Sequence, residues 1–317
     1  MSHAAEIRSG DRRALARAIT LVESARDDHR LAAEALLTEL LAQQRAANQP
    51  NSIRIGISGP PGVGKSTFIE SFGLMLCDLG HRVAVITVDP SSRRSGGSIL
   101  GDKTRMEALG RDPRAYIRPT PAGTTLGGVA RRTREVILVC EAAGFDIVIV
   151  ESVGVGQSET AVSRLTDCFV MLVNPGGGDD LQGIKRGIME LADVVVVTKA
   201  DGDLLGPARI TAADYGAALH LMRPKWPDAY PDVLMSSIPN HTGVPEVWVA
   251  IQKFIRDRTA AGQFENQRGG QARAALHDEL VAITIDRLVS SPALHDAETS
   301  VVNGTVLPSA AARALLN

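Results

Sequence analysis

Aromatic residues are scarce in this chain of 317 residues: two Trp, three Tyr and six Phe, 3% in all. Since 44% of the residues are apolar, the core must be built mostly of Val, Ile, Leu and Ala, a composition that suits parallel strands covered by helices on both faces. Cysteine is almost absent. Cys77, Cys140 and Cys168 lie far apart, each inside an apolar run, and read as buried small hydrophobes. No CxxC and no Cys/His cluster points to a zinc or redox centre. Lysine is also rare: there are six, and two of them, Lys65 and Lys199, fall inside motifs. The formal net charge of −2 gives no global pull toward nucleic acid or an anionic membrane. The N-terminus has no apolar signal region, and no uninterrupted apolar run is long enough to span a bilayer. The expectation is a cytoplasmic protein with neither a membrane nor a nucleic-acid partner. Its length allows one large domain with extensions, or two domains.

The apolar pattern is helical from about Arg12 to Arg45: Leu15, Ile19, Leu21 and Val22, then Leu31, Ala35, Leu36 and Leu40, recur at three- and four-residue spacing. Beyond the break "AANQPNS" (46–52), short Val/Ile runs alternate with helical stretches. Strands are expected at 53–58, 82–89, 146–152, 168–174 and 194–201, with a further one in 231–237, and helices at 65–80, 127–143, 180–191 and 244–260. This alternation predicts an α/β fold, a mostly parallel sheet with helices on both faces. "AGQFENQRGGQ" (261–271) reads as a polar linker, and 272–290 and 307–316 as a helical tail.

"GPPGVGKST", Gly59–Thr67, follows the first predicted strand and opens the first helix of that region. This is the Walker A spacing in the required strand–helix context. The phosphate-cradling candidates are Gly59, Pro60, Pro61, Gly62, Val63, Gly64, Lys65, Ser66 and Thr67. Glycines let the backbone wrap an anion. Lys65 supplies a point charge and the Ser66 hydroxyl a ligand for Mg²⁺. "VTKAD" (197–201) ends a valine-rich strand at the place of the N/TKxD guanine motif. There Asp201 would accept from guanine N1–H and the N2 amino group, donors that adenine lacks, and Lys199 is the lysine of the same motif. Ser236, Ser237 and Ile238 form a second candidate base loop. Asp89, Asp102 and Glu151, at strand ends or in Gly/Ser-rich stretches, are further Mg²⁺ candidates. "ESVGVGQ" (151–157) stands where many GTPases carry DxxG, with Glu151 in place of the Asp and Gly154 as γ-phosphate sensor. Gln157 does not have the spacing of a Ras-type catalytic glutamine.

"GPPGVGKSTFIE", "VDPSSRRSGGSILGDKTRM", "AYIRPT", "TLGGVARRTRE", "ESVGVGQSE" and "GDDLQGIKRGIMELAD", with "TKADGD", closely resemble the MeaB/ArgK/methylmalonic aciduria type A family of P-loop GTPases. The likeness runs from about residue 10 to 260. The resemblance implies a SIMIBI-type G domain over 51–262, an N-terminal helical extension over 1–50 and a C-terminal dimerisation arm over 263–317, in a homodimer. It implies GTP and GDP as ligands, Mg²⁺ as cofactor, and hydrolysis of GTP to GDP and phosphate. It also implies an adenosylcobalamin-dependent acyl-CoA mutase as partner, whose cofactor loading, protection and reactivation the GTPase gates, with an adenosyltransferase as a further partner. Methylmalonyl-, isobutyryl- and hydroxyisobutyryl-CoA mutases are all open as clients. Residues 91–105 and 152–159 resemble two switches. Residues 174–187 resemble a third, bringing Lys185, with Asp179 and Gln182, to a dimer or partner interface; Lys185 joins Lys65 and Glu151 as a catalytic candidate. Two other functions compete. A metallochaperone GTPase would carry Cys/His metal motifs, whereas the seven histidines here do not cluster with the cysteines. A kinase acting on a transport protein would leave a phosphoprotein.

Overall fold

The structure, a computed structural model, describes residues 3–24, 26–46, 52–89, 106–121, 126–152, 158–176, 186–227, 229–289 and 291–316. Asp102, Gly154, Gln157, Asp179, Gln182 and Lys185 lie outside the described residues, as does all of 91–105; Asp89 is described in its backbone alone.

Seven strands form one wholly parallel sheet: β1 Ile53–Ser58, β2 Val83–Asp89, β3 Ala115–Pro121, β4 Ile147–Ser152, β5 Cys168–Val173, β6 Val194–Val197 and β7 Asp232–Met235. Their order across the sheet is β3-β2-β4-β1-β5-β6-β7. Alternate residues of one strand enter opposite cores. On β2, Ala84, Ile86 and Val88 pack with the N-terminal helices, while Val83 and Val85 pack on the other face. This two-sided burial is why β4, β5 and β6 read as apolar runs.

The N-terminal helices α1 His3–Arg8, α2 Arg12–Glu23 and α3 Asp27–Ala46 share their core with α6 Leu126–Ala142. The single helical pattern of 12–45 is therefore two helices, with Ser24 in extended backbone ending the first. On the other face lie α4 Lys65–Asp78, α5 Glu107–Arg111 and α10 Val244–Ala260. α7 Ser158–Ser163, α8 Arg186–Met189 and α9 Leu205–Leu221 complete the layers. All three cysteines are buried; desolvation pushes the Cys77 thiol up to about 11 and raises Cys140 and Cys168 as well.

The sequence pattern did not mark β3. It carries Pro119 and Pro121, which a central strand excludes, but it lies at the sheet's edge and pairs only with β2.

The linker reading of 261–271 is wrong. These residues enter helix α11 Gln263–Val289, which runs through Gly269 and Gly270. Tertiary contacts override the glycine pair. Phe264 is buried, and Gln267 Nε2 donates to the carbonyls of Thr166 (3.1 Å) and Asp167 (3.2 Å). Arg268 bonds both carboxylate oxygens of Asp167 at 2.9 and 2.7 Å and the Ser52 carbonyl at 2.6 Å.

The chain divides into two compact units, residues 1–268 and 269–317. The second contains the rest of α11, then α12 Pro292–Val302 and α13 Pro308–Leu316. No helix among the described residues is long and apolar enough to cross a membrane.

Candidate nucleotide site

Every described candidate lies at the carboxyl end of the parallel strands, where open α/β sheets bind ligands. β1 ends at Ser58 and the chain turns through Gly59–Gly64 into α4. Gly59 must be glycine because a Cβ there would stand 2.4 Å from the Leu172 carbonyl oxygen of β5. Val63 is fully buried and anchors the loop in the core beside α4. Gly64, at φ 93°, is the N-cap of α4, and no side chain caps that helix. The first-turn N–H groups and the helix dipole are thus directed at the loop, the arrangement that binds phosphate. Lys65 Nζ donates to the carbonyls of Gly59 (2.8 Å) and Pro60 (3.3 Å), which puts the ammonium at the mouth of the loop. Ser66 follows it in the first turn, half-buried.

β6 brings in the guanine candidates. Thr198, next to Val197, donates its hydroxyl to the Val63 carbonyl at 2.8 Å and to the Val173 carbonyl at 3.2 Å. Lys199 reaches the Gly62 carbonyl at 2.6 Å and Asn174 Oδ1 at 3.3 Å. Its backbone is left-handed, φ 53°, which costs a non-glycine residue about 1–2 kcal/mol and marks a position that its surroundings enforce. Those surroundings are two hydrogen bonds: Ala200 N–H to the Ser236 carbonyl at 3.0 Å and Asp201 N–H to the Lys199 carbonyl at 2.9 Å.

Asp201 Oδ2 accepts from the Ser237 hydroxyl at 2.5 Å. Ser237 is fully buried, and its Oγ also accepts from Asn240 N–H at 3.2 Å. The turn from β7 into α10 is tight: Gly243 has φ 84°, and a Cβ there would meet the Met235 carbonyl oxygen at 2.0 Å. Ser236, Ser237 and Ile238 therefore sit beside Asp201 on a braced turn.

Glu151 pairs in register with Ile57 of β1 and Thr87 of β2, and is 3% exposed. It follows Ile149 by two residues and so shares the α4 face of the sheet. The next residue, Ser152, faces the other way and donates to Ser58 Oγ at 2.6 Å. Asp89 closes β2 beside Ser152's strand. The structure thus gathers the phosphate loop, Lys199, Asp201, Ser236–Ile238 and Glu151 at one sheet edge. Thr198 lies inside the VTKAD motif, but its role, bracing the loop from behind, emerges only with the sheet order.

Comparison with known proteins agrees with this geometry. The family model for methylmalonyl-CoA mutase-associated GTPase MeaB matches residues 15–293. A putative GTPase of Caulobacter vibrioides is 52% identical over 97% of this chain and 94% of its own length. The mouse mitochondrial methylmalonic aciduria type A homolog is 46% identical over 97% of this chain and 76% of its own. A crystal structure described as LAO/AO transport system kinase superposes with a TM-score of 0.77 at 37% identity, covering 99% of this chain and 95% of that one. The loop, the sheet order and these likenesses converge: the chain belongs to the MeaB family of P-loop GTPases.

Proposed function

We propose that this GTPase gates an adenosylcobalamin-dependent acyl-CoA mutase, controlling its cofactor loading, protection and reactivation. Support for the mutase comes from the family, whose model is described as mutase-associated. The guanine reading rests on one observation: the Asp201 carboxylate is oriented by the buried Ser237 hydroxyl while Lys199 holds the phosphate loop.

In this reading the loop Gly59–Thr67 cradles the phosphates with the N–H groups of Gly62 to Thr67, Pro60 and Pro61 having none, and Lys65 neutralises charge on the β- and γ-phosphates. Asp201, with Lys199 and the turn Ser236–Ile238, reads the base. Mg²⁺ fits the donor set, which is a hydroxyl and carboxylates, hard oxygen ligands. A carboxylate as buried as Glu151 on the α4 face suits a neighbouring cation. Ser66, Asp89, Asp102 and Glu151 would hold the ion, whose chemistry is to offset charge developing on the transferred phosphoryl group. Among the described residues no three His, Cys, Asp or Glu side chains gather as a cage, and Mg²⁺ at a nucleotide completes its shell with phosphate and water oxygens.

Lys185, Asp179 and Gln182 are taken as the contact through which the mutase stimulates hydrolysis. The GTPase domain is taken as 51–262 between helical extensions 1–50 and 263–317. A homodimer is supported by exposed apolar side chains on α11: Leu276 and Leu280, then Val281, Ile285 and Val289 at four-residue spacing, a surface that a second copy would cover.

The test is GTP turnover with and without a purified acyl-CoA mutase. The mutase is expected to speed hydrolysis by the wild type and not by a variant with Asp179, Gln182 and Lys185 all replaced by alanine. Equal stimulation of both proteins refutes the contact. No stimulation by any of the three candidate mutases, or a phosphoprotein product, refutes the role.

A further inference from the structure

The strands β5 and β6 are neighbours in register, Val173 opposite Val197. The ladder continues one step past the sheet, with Thr198 N–H bonded to the Val173 carbonyl at 2.9 Å. The chains leaving these two strands therefore stay side by side just where the phosphate loop arrives. The chain leaving β5 begins with Asn174, and the chain leaving β6 reaches Lys199 one residue after Thr198.

Lys199 is committed on both sides. Its left-handed backbone is held as described, and its ammonium bridges the Gly62 carbonyl on the crest of the phosphate loop and Asn174 Oδ1. Asn174 has its own root. Two residues on, Gly176 N–H donates to the hydroxyl of Thr211 at 3.0 Å, and Thr211 is buried in α9. The short segment 174–176 is thus tied at one end to the guanine motif itself and at the other to the helix that follows it.

A lysine ammonium on a four-carbon stem is mobile, and each fixed partner removes part of that freedom. With the Gly62 carbonyl alone the ammonium could swing about a single bond. The Asn174 amide oxygen supplies the second point that defines where it stands.

We propose that Asn174 is a positioning residue for nucleotide binding. It acts through Lys199, fixing the ammonium that holds the crest of the phosphate loop against the base-reading turn. The proposal rests on the guanine-nucleotide reading of the site and extends it to a residue that touches neither phosphate nor base. The Gly62 contact serves GDP and GTP alike, so the effect belongs to affinity for both.

The experiment is equilibrium binding of fluorescent GDP and of a non-hydrolysable GTP analogue to the full chain, with turnover measured in parallel. Asn174→Ala is expected to weaken both ligands by about three- to tenfold, the worth of one net hydrogen bond, with the loss falling on KM rather than kcat. Asn174→Asp keeps an acceptor opposite the ammonium and is expected to bind at least as tightly as the wild type. Asn174→Leu keeps the bulk without the acceptor and is expected to behave as the alanine variant. In a Lys199→Ala background, Asn174→Ala is expected to add nothing, because the group it acts through is gone.

An alanine variant with wild-type affinity overturns the proposal. So does failure of aspartate to rescue, or an undiminished loss in the Lys199→Ala background, since either would mean a general structural role. A wild-type chain that binds no guanine nucleotide overturns the guanine reading together with it; a wild type that binds normally beside an unaffected alanine variant overturns only the role of Asn174.

Discussion

Replacing Asp201 by asparagine tests the base-reading turn at its most exposed assumption. The carboxylate is already committed on one side, with Oδ2 accepting from Ser237 at 2.5 Å. Ser237 cannot turn away easily, because it is buried and its own oxygen accepts from Asn240 N–H. Guanine offers two donors, N1–H and the N2 amino group. A hydrogen bond to a charged acceptor contributes about 1.5–3 kcal/mol. Losing one such bond and leaving the other guanine donor against a donor therefore costs about 3 kcal/mol, roughly a hundredfold in Kd. Asparagine keeps one acceptor but presents an amide N–H₂ where the second stood, and that group opposes guanine N2. Xanthine carries a carbonyl oxygen at this position and turns the clash into a bond. GTP affinity is expected to fall about a hundredfold, and xanthosine triphosphate to become the preferred nucleotide. Titration of the wild type and the variant with GDP, XDP and ADP measures this directly. The reasoning is refuted if Asp201→Asn binds GDP within about threefold of the wild type, where the bonds would have predicted a far larger loss. It is refuted equally if the wild type binds ADP as tightly as GDP.

The sequence exposes what is local and periodic. The phosphate loop could be read from Gly59–Thr67 because glycine, lysine and hydroxyl are required at fixed offsets within a single turn. The strands β4, β5 and β6 could be read because burial on both faces leaves unbroken apolar runs, IVIV, CFVMLV and VVVV, and β1 and β2 because Ile and Val recur through IRIGIS and VAVITVD. What depended on sheet position was hidden. β3 looks unlike a strand until it is seen to be an edge, where the N–H groups missing at Pro119 and Pro121 are not needed. The helical start of α11 was hidden for a similar reason. "QFENQRGGQ" has the composition of a linker, but the partners of Gln267 and Arg268 lie about a hundred and more residues away, at Asp167 and Ser52. The site divides in the same way. Lys65, Thr198, Lys199 and Asp201 carry motif signals, whereas the contact of Thr198 with the loop and the part of Asn174 emerge only once β5 and β6 are known to be neighbours. Glu151 was legible as a strand-end acid, but its sharing a face with α4 follows from register alone.

Lys65→Ala is expected to lower GTP turnover by about a thousandfold or more, by comparison with other charges acting on the transferred phosphoryl group. Its circular dichroism spectrum should match the wild type, since the ammonium bonds carbonyls of the loop, outside the helices and strands; near-normal turnover would remove Lys65 from the chemistry. Gly243→Ala is expected to lower the melting temperature and weaken GDP binding together. Its Cβ would lie 2.0 Å from the Met235 carbonyl, so the turn carrying Ser236 and Ser237 must move; a variant with unchanged melting would show that the turn is not constrained there. Arg268→Met probes the start of α11. It removes the guanidinium from Asp167, a side chain with 0% exposure, and the donor from the Ser52 carbonyl. Stripping one member from a buried ion pair costs about 3–5 kcal/mol. Asp167 keeps the Arg54 N–H at 2.8 Å, so the lower end of that range is expected in urea denaturation. The penalty comes from leaving a charge buried, not from losing attraction alone. Neutralising it should therefore recover stability: Asp167→Asn in the Arg268→Met background keeps the acceptor for Arg54 N–H and is expected to be more stable than Arg268→Met by itself. If the second substitution destabilises further, the buried charge is not the cause, and the clamp at the start of α11 acts through packing.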